Sequence, residues 1–226
     1  MQEKKSSDWK AERQRKVENF KKNLWTIFVL AGLAVAFWAA RDFVSSPEKS
    51  SAQTVNGEIP GKPDIDVQLL TVNDYSRPGI ALEQVNAVVV HYTANPGSSA
   101  QANRDYFENL QYTQTTMASS HFIVGLDGEI VQCVPTAEIA YASNDRNWDT
   151  VSIETCHPDE SGQYTDATYE SLVHLTAWLC KKFDLTSDQV IRHYDVTGKI
   201  CPKYFVEDES AWEQFKADVG NKINEL

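Results

Sequence analysis

An α/β domain behind a single N-terminal transmembrane helix is what this 226-residue sequence predicts, and three observations carry that reading. The first is an apolar run of 17 residues at 24–40, interrupted by nothing more polar than Thr26. The second is a set of short β-branched runs, Val88-Val89-Val90, Val151-Ser152-Ile153 and Val190-Ile191, of the kind found in buried strands. The third is the presence of amphipathic stretches of helical period around them.

Taken in order, the apolar run comes first. As a helix it would rise about 26 Å, the short end of what spans a hydrocarbon core of roughly 30 Å. Phe43 and Val44 extend the span to 24–44, and Lys22 and Arg41 can snorkel at its ends. Eight Lys or Arg lie in residues 1–23 (Lys4, Lys5, Lys10, Arg13, Arg15, Lys16, Lys21, Lys22), against three between the run and Lys62. The positive-inside rule then keeps the basic N-terminus in the cytoplasm and places the remainder outside it, as a single-pass membrane protein. The alternative is a signal peptide cleaved at Ala34-Val35-Ala36, which would give a secreted domain. The long basic segment, and the position of that site inside the apolar run, favour the uncleaved anchor. Residues 45–63 are rich in Ser, Gly and Pro and read as a flexible linker, leaving 64–226 as the folded domain.

Within the domain, residues 87–90 predict a strand buried on both faces. Ser98 with Gln101 makes a capping box for a helix through Leu110, with Ala102, Tyr106 and Leu110 on its apolar side. Residues 121–126 and 129–134 flank Asp127-Gly128, a hairpin signal, and 151–155 read as a further strand. Leu172, Leu175, Leu179 and Phe183 repeat at helical spacing after a start at Thr165 or Asp166. Residues 189–192 predict another strand, and Ser210 with Glu213 starts a last helix burying Trp212, Phe215, Val219 and Ile223.

Charge narrows the partners. The net charge is −11, and residues 1–22 carry eight basic against four acidic groups, so the remainder stands at −15. Such a surface repels nucleic acid. Four cysteines in an exported chain raise the question of disulfides, but their spacing matches no compact framework. Cys180 reads as a buried apolar residue within a helix, and whether Cys133 and Cys156 pair is left open.

The chemistry gathers on three residues. His91 closes Val88-Val89-Val90, His193 closes Val190-Ile191-Arg192, and Cys201 follows eight residues later, before Pro202. Two imidazoles and a thiolate suit a catalytic Zn²⁺, which keeps one position open, where a structural zinc usually takes four protein ligands. Both histidines fall at the carboxyl ends of strands, beyond which α/β sheets bind their ligands. Of the other histidines, His121 is read as structural with groove lining as the alternative, His157 as a loop residue solvated or touching substrate, and His174 as an ordinary helix residue. Lys203 and Glu207 read as solvated charges. Asn95, Asn144 and Arg146 are candidate recognition residues in loops.

Four segments in register also carry a family resemblance. His91-Tyr92-Thr93, Ser119-Ser120-His121-Phe122-Ile123-Val124 with Asp127-Gly128, Val151-Ser152-Ile153-Glu154, and His193-Tyr194-Asp195-Val196 leading to Lys199-Ile200-Cys201-Pro202 resemble the zinc N-acetylmuramoyl-L-alanine amidases. The likeness is to the type 2 branch, related to phage lysozyme-like amidases and peptidoglycan recognition proteins. It implies a central mixed β-sheet flanked by helices with a groove over the zinc, His91, His193 and Cys201 as ligands, and peptidoglycan as substrate. It further implies Glu154 as the carboxylate that moves the proton and Lys199 as the cation at the oxyanion. One departure is Ser120, where phage-type relatives often carry Tyr; this puts more weight on Glu154. The expected reaction is hydrolysis of the amide between N-acetylmuramic acid and L-alanine of the stem peptide. The alternatives are a non-catalytic peptidoglycan-binding module of the same fold and a cysteine peptidase using Cys201.

Overall fold

Three β-branched runs set the centre of the molecule. The computed structural model describes residues 59–226; the basic segment 1–23, the apolar span 24–44 and most of the 45–63 linker lie outside the described residues. Among the described residues no helix is long and apolar enough to cross a membrane. The strands are β1 (Asp66–Val67), β2 (Ala87–Tyr92), β3 (Phe122–Val124), β4 (Ile130–Gln132), β5 (Thr150–Thr155) and β6 (Val190–Arg192). They form a six-stranded sheet ordered β1-β4-β3-β5-β2-β6, antiparallel between β3 and β4 and parallel at every other pairing. The sheet is therefore mixed, as the family resemblance implies. Val88, Val89 and Val90 in β2 are wholly excluded from solvent. Each such burial is worth about 1.5–3 kcal/mol, which explains why the run reads as apolar throughout rather than alternating.

The antiparallel pair is the hairpin announced by Asp127-Gly128. Gly125 N donates to Glu129 O at 2.8 Å to close its turn, and Gly128 adopts φ +82°. A Cβ on Gly128 would lie 2.8 Å from Ala167 O, so both the turn and the neighbouring helix require glycine there.

Helices flank the sheet. α1 (Ala100–Thr113) begins one residue later than expected: Ser99 Oγ, not Ser98, accepts from Ala102 N at 3.1 Å, while Ser98 Oγ donates to Asn95 O at 2.6 Å. Both serines satisfy capping chemistry, and the start selected by packing turns the buried face to Ala100, Asn103, Phe107 and Leu110. Tyr106 is left 50% exposed. This face joins Ile123, Val131, Cys133 and Cys156 in one apolar cluster. α2 (Asp166–Phe183) is capped by Thr165, buries Leu172, Leu175 and Leu179, and packs on β2 and β3. Two short helices follow, α3 (His193–Thr197) and α4 (Lys203–Glu207), and then α5 (Glu209–Glu225), which packs against α2. Asp208 caps α5 by accepting from Ala211 N at 3.0 Å; Ser210, the expected cap, instead donates to Asp208 Oδ1. Trp212, Phe215 and Val219 are buried on α5, whereas Ile223 is only half-buried.

Register positions the chemistry. Val90 pairs with Ile153 on one side and Arg192 on the other, and His91 pairs with Glu154. His91, the next residue of β2, and His193, the first residue beyond β6, therefore emerge side by side at the carboxyl edge of these strands.

Candidate metal centre

His91 is the penultimate residue of β2 and is 2% exposed. Its carbonyl accepts from Thr155 Oγ1 at 2.7 Å, which ties the end of β2 to β5. His193 opens α3 directly after β6, and its ring centroid lies 4.7 Å from that of His91. Gly198 ends α3 at φ +76°, and Tyr194 N donates to Cys201 O at 2.9 Å, folding the loop back so that Cys201 returns to the same edge. Cys201 is buried, with Sγ 3.8 Å from His91 Nδ1. One ligand atom from each of the three residues falls within 4.8 Å of the others. The trio expected from residue type, strand-end position and family resemblance thus meets in space.

The electrostatics fit a cation. Burial, then the neighbouring charges of His193, Lys199 and His121, holds His91 well below the ordinary imidazole range. Burial and Lys199 also lower His193. Both rings are therefore neutral and keep a lone pair for a metal. Burial, reinforced by the Glu154 carboxyl, pushes the Cys201 thiol up to about 12. A divalent cation reverses that preference, since a coordinating thiol is deprotonated. Two imidazoles and one sulfur within reach, all buried, match the N/S donor set of zinc with one position left open.

Glu154 stands on β5 opposite His91, and its Oε2 is buried without a hydrogen-bond partner. Burial pushes its carboxyl up to about 8, with Lys199 pulling the other way. Lys199 is exposed on the loop between α3 and Cys201, and its charge is felt at Glu154, His91, His193 and Cys201. The structure thus brings His91, His193 and Cys201 together with Glu154 paired beside His91, and Lys199 acts on this group through its charge.

The other candidates take different roles. Ser120 is wholly buried, and its Oγ donates to Phe122 O at 3.0 Å, with Ser152 O at the same distance. His121 is structural: its rings nitrogens meet Ser152 Oγ at 3.0 Å and Glu138 O at 2.9 Å. His157 is buried rather than solvated; Nδ1 meets Asp159 O at 2.7 Å and the ring lies against Tyr92. His174 Nε2 meets Gly61 O at 2.8 Å. All four cysteines are free, so Cys133 and Cys156 do not pair. Lys203 donates to Glu160 O at 2.6 Å, pinning a loop rather than standing in solvent. Arg146 is paired with Asp149 at 2.7 Å.

Two residues that touch the trio were not read as part of it. Ser143 Oγ lies 3.1 Å from His91 Nε2, and Asn144 Oδ1 lies 2.9 Å from His193 Nε2. They sit at the start of a 3-10 turn (Asn144–Trp148) that carries no periodic signal.

The family model for N-acetylmuramoyl-L-alanine amidase matches residues 81–204, a stretch that takes in His91, Glu154, His193, Lys199 and Cys201. The chain belongs to this amidase family. Within the family, it is 37% identical over 168 residues to the N-acetylmuramoyl-L-alanine amidase CwlL of Bacillus licheniformis, covering 67% of this chain and 46% of that protein. It is 33% identical over 176 residues to the amidase BlyA of Bacillus subtilis (strain 168), covering 69% and 46%. The chain thus spans about half the length of these relatives. Among solved structures, the catalytic domain of XlyA superposes with a TM-score of 0.60 at 27% identity, covering 70% of this chain and 100% of that one. The amidase fold and the His-His-Cys zinc site coincide in one domain.

Proposed function

We propose that the domain hydrolyses the amide joining N-acetylmuramic acid to L-alanine of the peptidoglycan stem peptide, with zinc held by His91, His193 and Cys201. The observation that carries this reading is the meeting of the three buried ligand atoms within 4.8 Å, beside a buried carboxyl with an unpaired oxygen. The names of the relatives support the same bond as the target. A zinc ion in that site supplies Lewis acidity toward the carbonyl and activation of water.

The remaining steps belong to the chain's own side chains. Glu154 Oε2, without another partner, accepts the proton of the attacking water as its oxygen bonds to the carbonyl carbon. The same carboxyl then delivers that proton to the amine nitrogen as the C–N bond breaks. A carboxyl raised to about 8 by burial is poised to hold a proton near neutral pH, and adjacent positive charge brings it toward the base form. Lys199, on the exposed loop beside the trio, places an ammonium where negative charge grows on the carbonyl oxygen.

Two rivals fare worse. A binding module without catalysis has no use for Glu154 buried opposite the trio. A cysteine nucleophile needs a lowered thiol pKa, whereas burial drives Cys201 up to about 12. The test is Glu154→Gln in the full chain: zinc content retained, with release of stem peptide from purified wall reduced by orders of magnitude. Wild-type rates in that variant would overturn the role of Glu154.

The same proposal includes location. Residues 24–44 act as a single-pass anchor with residues 1–23 in the cytoplasm, and the 45–63 linker holds the domain on the outer side, where peptidoglycan lies. The charge asymmetry around the apolar run supports this. Protease added to intact spheroplasts should remove the domain, and full protection would overturn the orientation.

A further inference from the structure

A zinc ion accounts for the trio but not for the two consecutive side chains that grip its histidines. Ser143 Oγ meets His91 Nε2 at 3.1 Å, and Asn144 Oδ1 meets His193 Nε2 at 2.9 Å. An amide oxygen only accepts, so His193 carries its proton on Nε2 and keeps its lone pair on Nδ1. His91 is held the same way round: Nε2 is turned to Ser143, whose hydroxyl can donate or accept, and Nδ1 faces Cys201 Sγ at 3.8 Å. We propose that the Ser143-Asn144 dipeptide is a positioning device that holds both histidines by Nε2, Asn144 also fixing the Nε2–H tautomer of His193, so that both ligate through Nδ1. This rests on the zinc reading of the trio.

The turn holding the dipeptide is braced as such a device requires. Asn147 Oδ1 accepts from Ala142 N at 3.1 Å and from Ser143 N at 2.6 Å, so one side chain fixes both amides leading into the turn. Asn144 adopts a left-handed backbone at φ +53°, a region that asparagine tolerates better than most residues. Ser143 is buried. Thr150 Oγ1 donates to Arg146 O at 2.7 Å, so the 3-10 turn is locked to the first residue of β5. The turn that grips the histidines is thereby tied to the strand that carries Glu154. Hydrogen bonding at the remote ring nitrogen fixes the orientation of a ligating imidazole and raises its basicity.

The test uses the full chain and zinc itself. Zinc affinity is measured by competition with a chromophoric chelator for the wild type, Ser143→Ala, Asn144→Gly and Asn144→Asp, alongside ¹⁵N NMR of the imidazoles in the zinc-loaded wild type. Glycine keeps the left-handed backbone while removing the acceptor; aspartate keeps an acceptor oxygen. Asn144→Gly and Ser143→Ala should each weaken zinc binding about 10–100-fold. Asn144→Asp should restore it to within a few-fold, and both rings should show a protonated Nε2 with Nδ1 bound. If Asn144→Gly melts like the wild type without metal and binds zinc within twofold of it, the positioning role is overturned while the zinc site stands. Ligation of His193 through Nε2 overturns it equally. Failure of the wild type to bind zinc overturns both the site and the device.

Discussion

Replacing Glu154 by Gln should make the metal-free protein more stable at alkaline pH, and the size of the gain follows from the burial of the carboxyl. In the fold Glu154 is held up to about 8 against an ordinary 4.5, chiefly by burial. Below 4.5 the folded and unfolded chains both hold the proton, and the group contributes no difference. As pH rises above 4.5 the unfolded chain releases it while the folded chain keeps it, so stability falls until pH passes 8 and then levels off. The gap corresponds to an upper bound on the order of 5 kcal/mol. Water entry and relaxation around the ion reduce this to roughly 2–4 kcal/mol in practice. Glutamine has the same shape and no charge to lose, so it escapes the decline. Melting of the metal-free proteins followed by circular dichroism should give similar midpoints at pH 5 and a higher midpoint for the variant at pH 9. At about 2–4 °C per kcal/mol, the difference should reach roughly 5–15 °C. Parallel pH profiles for the two proteins would refute the claim that Glu154 is held protonated by its surroundings.

Three other perturbations probe separate links. Lys199→Ala should retain zinc and the fold while lowering kcat about 10²–10³-fold, as loss of an oxyanion donor does; an unchanged kcat on wall substrate would remove the residue from the chemistry. Cys201→Ser should lose zinc on dialysis, with activity falling alongside, and metal analysis showing one retained zinc per chain would contradict its place among the ligands. Gly128→Ala should destabilise the domain by more than ~1 kcal/mol in urea unfolding, because the turn needs φ +82° and the added carbon meets Ala167 O. Unchanged stability there would show that the hairpin can shift away from α2.

The chemical residues were legible because each ends an apolar run or stands in a motif. Val88-Val89-Val90 and Val190-Ile191 read as strands, so His91 and His193 read as strand ends, and Cys201 followed within loop reach of the second. Their adjacency was not legible: β2 lies between β5 and β6 by parallel crossovers, and only the register shows His91 beside both Glu154 and His193. Helix starts moved by a residue or two where neighbouring side chains share capping chemistry, as at Ser98 and Ser99 or Asp208 and Ser210. Asn144 reads in the sequence as a polar loop residue suited to substrate recognition; no periodicity marks a left-handed residue in a 3-10 turn, and its partner is 49 positions away. His157 reads as a loop residue, solvated or touching substrate, because a ring packed beside it, that of Tyr92, comes from a distant strand end.

The bond that is cut and the metal that is needed can be tested together by mass spectrometry of the soluble fragments released from purified peptidoglycan, with the full chain zinc-loaded, chelated and then reloaded. The expected result is stem peptide with a free L-alanine amino terminus and glycan bearing an intact lactyl carboxylate, absent with chelator and restored by zinc. Fragments cleaved between sugars or within the peptide, or amidase products that persist without metal, would contradict zinc-dependent hydrolysis at the muramoyl-alanine bond.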